Sequence, residues 1–157
     1  MKKFFFDCGT RDATASQGLL VLRVMLGLMM LIGHGIPKIA GYAALKDAFP
    51  VAEFFPLNYL SHPLSLMACI GAEVVAAGLI VLGLATRPAA FVLGFSMVVA
   101  VFGVQAAAPW FVAPPTVMVA KELGLLYLIP LVALILTGGG AYSLDAGLYR
   151  EGKRRRW

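Results

Sequence analysis

The chain has 157 residues, of which 61% are hydrophobic and only 13% are charged. A soluble domain of this length usually carries about twice that charged fraction, and its core could not hide the long apolar runs that separate the charges here. The composition therefore excludes an ordinary soluble domain and predicts a single membrane domain over residues 1–157.

The net charge of +5 does not indicate a nucleic-acid-binding protein, because five of the thirteen basic residues lie in the last eight positions. A basic tail after an apolar helix, here residues 148–157, is typical of a topology anchor at an anionic lipid surface. The two cysteines, Cys8 and Cys69, form neither a CxxC motif nor a metal-ligand spacing, so we expect no disulfide and no metal site.

Four apolar runs are each long enough to cross a bilayer, which takes about 20 residues of helix. The link between the second and third runs, residues 86–88, is so short that these helices must form an antiparallel hairpin. We therefore predict an all-α fold, a membrane four-helix bundle. Its spans cover about residues 18–36, 63–85, 88–108 and 116–137.

The basic residues predict the orientation of this bundle. Cytoplasmic loops carry an excess of Lys and Arg, and here nine basic residues share the side of the two termini while three lie on the other side. Both termini are therefore expected in the cytoplasm. The nine are Lys2, Lys3, Arg11, Arg87, Arg150, Lys153, Arg154, Arg155 and Arg156, and the three are Lys38, Lys46 and Lys121.

The segment from Gly41 to His62, between the first and second spans, mixes charged residues with Phe and Tyr and contains two prolines. The segment is too polar to cross the bilayer and too rich in aromatic residues to be an ordinary loop in water. We expect an interfacial segment, partly helical, on the outer membrane surface.

Burying an ionisable side chain inside a membrane span costs free energy, so such a side chain usually has a binding partner or a functional role. In the first span Arg23 and His34, together with Lys38 just beyond it, share one face with Gly27 and Met30. At 100° per residue these five positions fall within about 80° of arc. This face is expected to point toward the second and fourth spans.

The second span carries one charge, Glu73, near its middle. A carboxyl group at that depth is either protonated or paired with a cation. Lys121 is the favoured partner, ahead of Arg23, because its long side chain can reach inward from the outer part of the fourth span. The end of the first helix at Lys38 offers a third choice.

The fourth span adds Glu122 and Tyr127, whereas the third span is nearly apolar apart from Ser96 and Gln105 and is expected to face lipid. The charged groups together predict a polar pocket between helices 1, 2 and 4 that opens to the outer face. Alternatively, they are internal ion pairs that only hold the helices in register. The candidate residues are Arg23, His34, Lys38, Glu73, Lys121, Glu122 and Tyr127.

Three short motifs resemble those of DoxX family membrane proteins, and the resemblance covers about residues 18–147. The closing motif of that family usually reads Gly-Pro-Gly, and this chain has Gly139 at the middle position. The motifs are Arg23 with Gly33-His34-Gly35 and Lys38; Glu73 with Leu82-Gly83-Leu84-Ala85-Thr86-Arg87; and Glu122 and Tyr127 with Gly138-Gly139-Gly140 and Tyr142-Ser143-Leu144-Asp145.

The resemblance implies a four-helix bundle in the bacterial cytoplasmic membrane. The related DoxD protein is a membrane subunit of a thiosulfate:quinone oxidoreductase, and some DoxX proteins are linked to membrane complexes that handle thiol and oxidative stress. We therefore expect a quinone-linked oxidoreductase subunit with a quinone as its ligand, in contact with other membrane subunits and the lipid bilayer. The alternative is a non-catalytic scaffold or assembly subunit of a larger complex, and the sequence leaves open whether the chain is an enzyme.

Overall fold

The computed structural model describes residues 9–10, 12–114 and 119–148. Cys8 and the basic residues 149–157 lie outside this part of the chain. In chain order the helices are α1 (Ala13–Ala40), α2 (Tyr42–Leu45), α3 (His62–Leu82), α4 (Thr86–Val104), α5 (Lys121–Thr137) and α6 (144–148).

Helices α1, α3 and α4 have 28, 21 and 19 residues and are long and apolar enough to cross a membrane. The fourth helix of the bundle, α5, has 17 residues. At a rise of about 1.5 Å per residue, α5 is only slightly shorter than the hydrocarbon core of a bilayer. The structure thus confirms an all-α fold with three long apolar helices and a fourth.

Helix α1 extends beyond the predicted span at both ends. At its start the Asp12 side chain caps the helix by accepting a hydrogen bond from the Ala15 N–H at 2.7 Å. Near its other end a π-helical turn at Leu31–Gly35 precedes Pro37.

The bundle has two different ends. The terminal end holds the start of α1, the α3–α4 link at residues 83–85, and α6; the loop end holds residues 41–61 and 105–114. At the terminal end Arg23 is buried and donates to the carbonyls of Ile80 (3.3 Å), Val81 (2.6 Å) and Tyr142. Arg23 therefore satisfies carbonyls at the end of α3, and it does not line the predicted pocket.

Asp145 completes this terminal-end network. Its carboxylate, 1% exposed, accepts hydrogen bonds from the Ala85 N–H (2.7 Å), the Thr86 N–H (2.8 Å) and the Thr86 hydroxyl (2.9 Å). These groups belong to the tight α3–α4 link, in which Gly83 and Ala85 have left-handed backbone conformations. A Cβ on Gly139 would lie 2.6 Å from the Thr86 hydroxyl, so the glycine at this position allows the closing segment to pack against the link.

Helices α1 and α3 approach closely at glycines. A Cβ on Gly27 would lie 2.9 Å from the Ala77 carbonyl oxygen, and one on Gly35 would lie 3.1 Å from that of Glu73. Because glycine has no Cβ, the two backbones can pack tightly at these positions, as is common between helices inside a membrane. Arg23, Gly27 and Met30 of the predicted α1 face are buried, whereas Lys38 is partly buried and His34 is exposed.

The third predicted span, now α4, does not lie apart from the bundle as a lipid-facing helix. Its Ala90, Leu93 and Gly94 are buried, and they pack with Leu131 and Leu134 of α5 in the core. The expectation was wrong because a nearly apolar helix in a membrane protein can supply core and lipid-facing surface at once: hydropathy does not separate the two.

Candidate functional site

A cavity of about 490 Å³ lies between α1, α3, α4 and α5 toward the loop end. Each of the three long helices has a π-helical turn near this level: Leu31–Gly35, Gly71–Ala76 and Val99–Val104. Such turns occur often at functional sites because they shift side chains out of the regular helical arrangement. The polar side chains that line the cavity are His34, Lys38, Ser65, Cys69, Glu73, Ser96, Gln105 and Tyr127.

An ion pair between α1 and α3 lies in this cavity. The Lys38 Nζ is 2.5 Å from the Glu73 Oε2, and the two side chains are 20% and 5% exposed. The prediction that Lys121 is the partner of Glu73 is therefore wrong: Lys38 pairs with it, because α1 continues past Pro37 and brings the lysine level with the carboxylate. A hydrogen-bonded pair offsets much of the cost of burying a carboxylate at this depth.

The second oxygen of Glu73 also has a partner. The Cys69 thiol donates to Oε1 at 3.3 Å, from one helical turn earlier in α3. Both carboxylate oxygens are thus occupied, and Glu73 is held in a single orientation. The ammonium group of Lys38 has three N–H donors, of which this pairing uses one.

His34 and Tyr127 connect the first and fourth helices of the bundle. Their rings meet edge to face, with centroids 5.6 Å apart and an interplanar angle of 90°. Both side chains line the cavity, so the polar atoms of an imidazole and a phenol border the same space as the ion pair.

Lys121 and Glu122 have a different role from the one expected. The Lys121 Nζ donates to the Ala106 carbonyl at 2.8 Å and lies 4.8 Å from the ring centroid of Trp110, while Glu122 accepts from the Val112 N–H at 3.0 Å. Both side chains therefore bind the loop before α5. Of the seven predicted site residues, the structure brings four to the cavity: His34, Lys38, Glu73 and Tyr127.

Four polar residues of the cavity were not among the predicted site residues: Ser65, Cys69, Ser96 and Gln105. The position of Cys69 could have been found, since it lies four residues before Glu73 and therefore on the same face of one helix. Ser96 and Gln105 are the main polar side chains of the third predicted span, which was expected to face lipid.

The segment after α2 folds over the cavity, and we call residues 49–60 the roof. The Phe49 carbonyl lies 2.6 Å from the His62 Nδ1, and the Pro50 carbonyl accepts from the Ser65 hydroxyl at 3.0 Å. Ala52 is 3% exposed and packs near Gly103 of α4. The segment that was expected to be interfacial is partly helical, and it also covers the cavity.

Within the part of the chain that the structure describes, no group of three or more His, Cys, Asp or Glu side chains is placed to hold a metal ion. The cavity offers hydrogen-bond donors and acceptors from all four helices of the bundle among mostly apolar walls. This arrangement can orient a small polar head group.

Comparisons with known proteins indicate the same family as the sequence motifs do. The DoxX family model matches residues 18–106, more than half of the chain. A Haemophilus influenzae protein described as uncharacterized is 27% identical over 154 residues, covering 96% of both chains. Another uncharacterized protein of that organism is 29% identical over 133 residues, covering 85% of this chain and 92% of its own.

No solved structure matches the chain significantly. The matched family region contains both members of the Lys38–Glu73 pair and three of the four bundle helices. The chain is therefore a multi-pass membrane protein that belongs to the DoxX family.

Proposed function

We propose that this DoxX family membrane protein binds a quinone head group in its cavity and serves as the membrane subunit of a quinone-linked oxidoreductase. The observation that carries the proposal is the Lys38–Glu73 ion pair beside an otherwise mostly apolar cavity of about 490 Å³. That volume is in the range of small-molecule sites, which combine apolar walls with a few placed polar groups.

The polar groups suit the chemistry of a quinone. Reduction to a quinol takes two electrons and two protons, with one proton added at each carbonyl oxygen. Lys38 has N–H donors beyond the one bound to Glu73, and the Tyr127 hydroxyl is a further donor. In this proposal these groups bind the carbonyl oxygens, Glu73 positions Lys38, and a partner redox subunit exchanges the electrons.

Binding of decylubiquinone to the purified protein in lipid nanodiscs tests this proposal. We expect Glu73→Gln to weaken the affinity by about 10- to 100-fold, since a hydrogen bond to a charged group contributes about 1.5–3 kcal/mol and Lys38 would lose its anchor. The measurement is a titration followed by microscale thermophoresis, with the retained quinone quantified after gel filtration.

Glu53→Gln is the matched control, because it makes the same chemical change at an exposed residue of the roof that does not line the cavity. This variant should bind decylubiquinone like the unchanged protein. Failure of the unchanged protein to bind the quinone, or equal affinities of the Glu73 and Glu53 variants, would contradict the proposal.

A non-catalytic scaffold or assembly subunit is the second candidate. It is favoured by the terminal-end network, where the buried Arg23 and Asp145 join helix ends without lining the cavity. Affinity purification of a tagged chain separates the two candidates: a scaffold retains its partner subunits and carries no quinone, whereas a redox subunit carries both.

We further propose that the chain lies in the bacterial cytoplasmic membrane as one domain, with both termini in the cytoplasm. The excess of basic residues on the terminal side supports this orientation. Alkaline phosphatase fused after Trp157 should be inactive, because it folds only outside the cytoplasm. The same reporter inserted after Asp47, in the segment before the roof, should be active, and the reverse pattern would show the opposite topology.

A further inference from the structure

The roof covers the cavity at the loop end of the bundle. Phe49, Pro50, Ala52, Leu57 and Leu60 all line the cavity from the loop end. The roof is tied to α3 through His62 and Ser65 and packs on α4 at Gly103. Access from the aqueous phase at this end therefore meets an anchored apolar layer.

The side between α1 and α5 is bordered by the polar aromatic pair His34 and Tyr127, with the exposed Leu123 next to them. The rings of His34 and Tyr127 contact each other across the two helices. A hydrocarbon chain that crossed here would separate this pair and lie against polar atoms, which costs free energy when no water replaces the lost contacts.

On the side between α3 and α4, the Cys69 and Ser96 side chains are hydrogen-bonded across the two helices, and three apolar side chains are exposed beside them. Helix α3 packs against α4 mainly through Gly71–Leu82, whereas most of its first nine residues, His62–Ile70, lie farther from α4 and leave a gap next to the Cys69–Ser96 contact. In this gap Val92 and Phe95 line the cavity although they are 49% and 50% exposed at the outer surface of the bundle. Ala68, also exposed, faces the same space with a small side chain.

Because one set of apolar side chains borders both the cavity and the lipid-facing surface, we infer that the ligand passes sideways between α3 and α4, directly from the bilayer. The ligand class is an amphiphile with a compact polar head and a long hydrocarbon chain. The head lies near Lys38, and the chain leaves the protein past Ala68 and Phe95.

This inference rests on the proposed quinone site and narrows it to quinones that carry a polyprenyl or alkyl chain. A space of about 490 Å³ holds a molecule of drug size, whereas a polyprenyl chain of several units extends well beyond it. The chain therefore needs an apolar exit at the depth of the cavity, and the α3–α4 gap provides it.

A ubiquinone analogue with a diazirine at the end of an alkyl chain tests the route. After illumination in nanodiscs, peptide mass spectrometry should locate the adducts around Ala68, Val92 and Phe95, and excess decylubiquinone should suppress them. Saturable adducts around Leu123, on the α1–α5 side, would overturn the route while leaving quinone binding established.

A kinetic test uses substitutions of matched size. Phe95→Trp enlarges a side chain in the gap and should slow association of decylubiquinone from the bilayer by about tenfold, whereas Phe102→Trp should not change it. Phe102 is the control because it lies on the same helix, is also 50% exposed and does not line the cavity. Leu123→Trp probes the opposite side.

Slower association in Leu123→Trp with an unchanged rate in Phe95→Trp would overturn the α3–α4 route. Absence of any saturable decylubiquinone binding in the unchanged protein would overturn the proposed function and this inference together. The two failures are therefore distinguishable.

Discussion

Replacing Asp145 by alanine should lower the free energy of unfolding by about 3–5 kcal/mol. The side chain is 1% exposed and accepts hydrogen bonds from two backbone N–H groups and one hydroxyl of the α3–α4 link. Each buried donor that loses its acceptor costs about 1–3 kcal/mol, and the carboxylate also lies at the start of α4, where a negative charge is favourable. The link itself has left-handed residues at Gly83 and Ala85, which the bonds to Asp145 help to hold.

This loss can be measured by thermal and SDS-induced unfolding in detergent micelles. Asp47→Ala is the control, because it removes a carboxylate from an exposed turn and should change the free energy of unfolding by less than about 0.5 kcal/mol. If the Asp145 and Asp47 variants are equally stable, the terminal-end network does not stabilise the fold as described.

A second large effect is expected for Lys38→Met, which should destabilise the protein by about 3 kcal/mol. The substitution leaves the Glu73 carboxylate, 4% exposed, without its cation. Breaking a buried pair costs about 3–5 kcal/mol, and the lower end applies here because the Lys38 side chain is 20% exposed. Glu73→Gln should cost less, since the freed ammonium group can turn toward the loop end.

The double variant Lys38→Met with Glu73→Gln should recover much of the stability lost in Lys38→Met. A double-mutant cycle from unfolding in detergent gives the coupling free energy between the two side chains. Lys46→Met, at an exposed position between α2 and the roof, is the matched control. Additive effects in the cycle would show that the two groups do not stabilise each other.

The same double variant also separates structural from ligand-binding roles. If the pair only joins α1 to α3, the folded double variant should bind decylubiquinone as tightly as the unchanged protein does. If it also holds a quinone, the double variant should be folded and should bind decylubiquinone about 10- to 100-fold more weakly.

The membrane class and the helical fold follow from the sequence alone, because apolar runs of about 20 residues have few stable alternatives in a chain with so few charges. The buried face of α1 follows as well. Arg23, Gly27 and Met30 recur at helical spacing, and a charged face cannot point toward lipid.

The ion-pair partner of Glu73 could not be predicted, because it depends on where helices begin and end. The fourth span was predicted to start at residue 116, which would place Lys121 more than one turn inside the membrane. In the structure α5 begins at Lys121, so this side chain binds the preceding loop. Conversely, α1 was expected to end near residue 36, and its continuation to Ala40 brings Lys38 to Glu73.

The sequence by itself determined which residues are costly to bury in a membrane, since that cost depends on side-chain chemistry and on the length of the apolar run. Only the tertiary structure decided which groups pair with each of these buried side chains. The close α1–α3 contact at Gly35 and the π-helical turns set the depth and direction of Glu73, and a short closing segment brings Asp145 to the helix link. These distances depend on packing between elements far apart in the chain, which local periodicity does not encode.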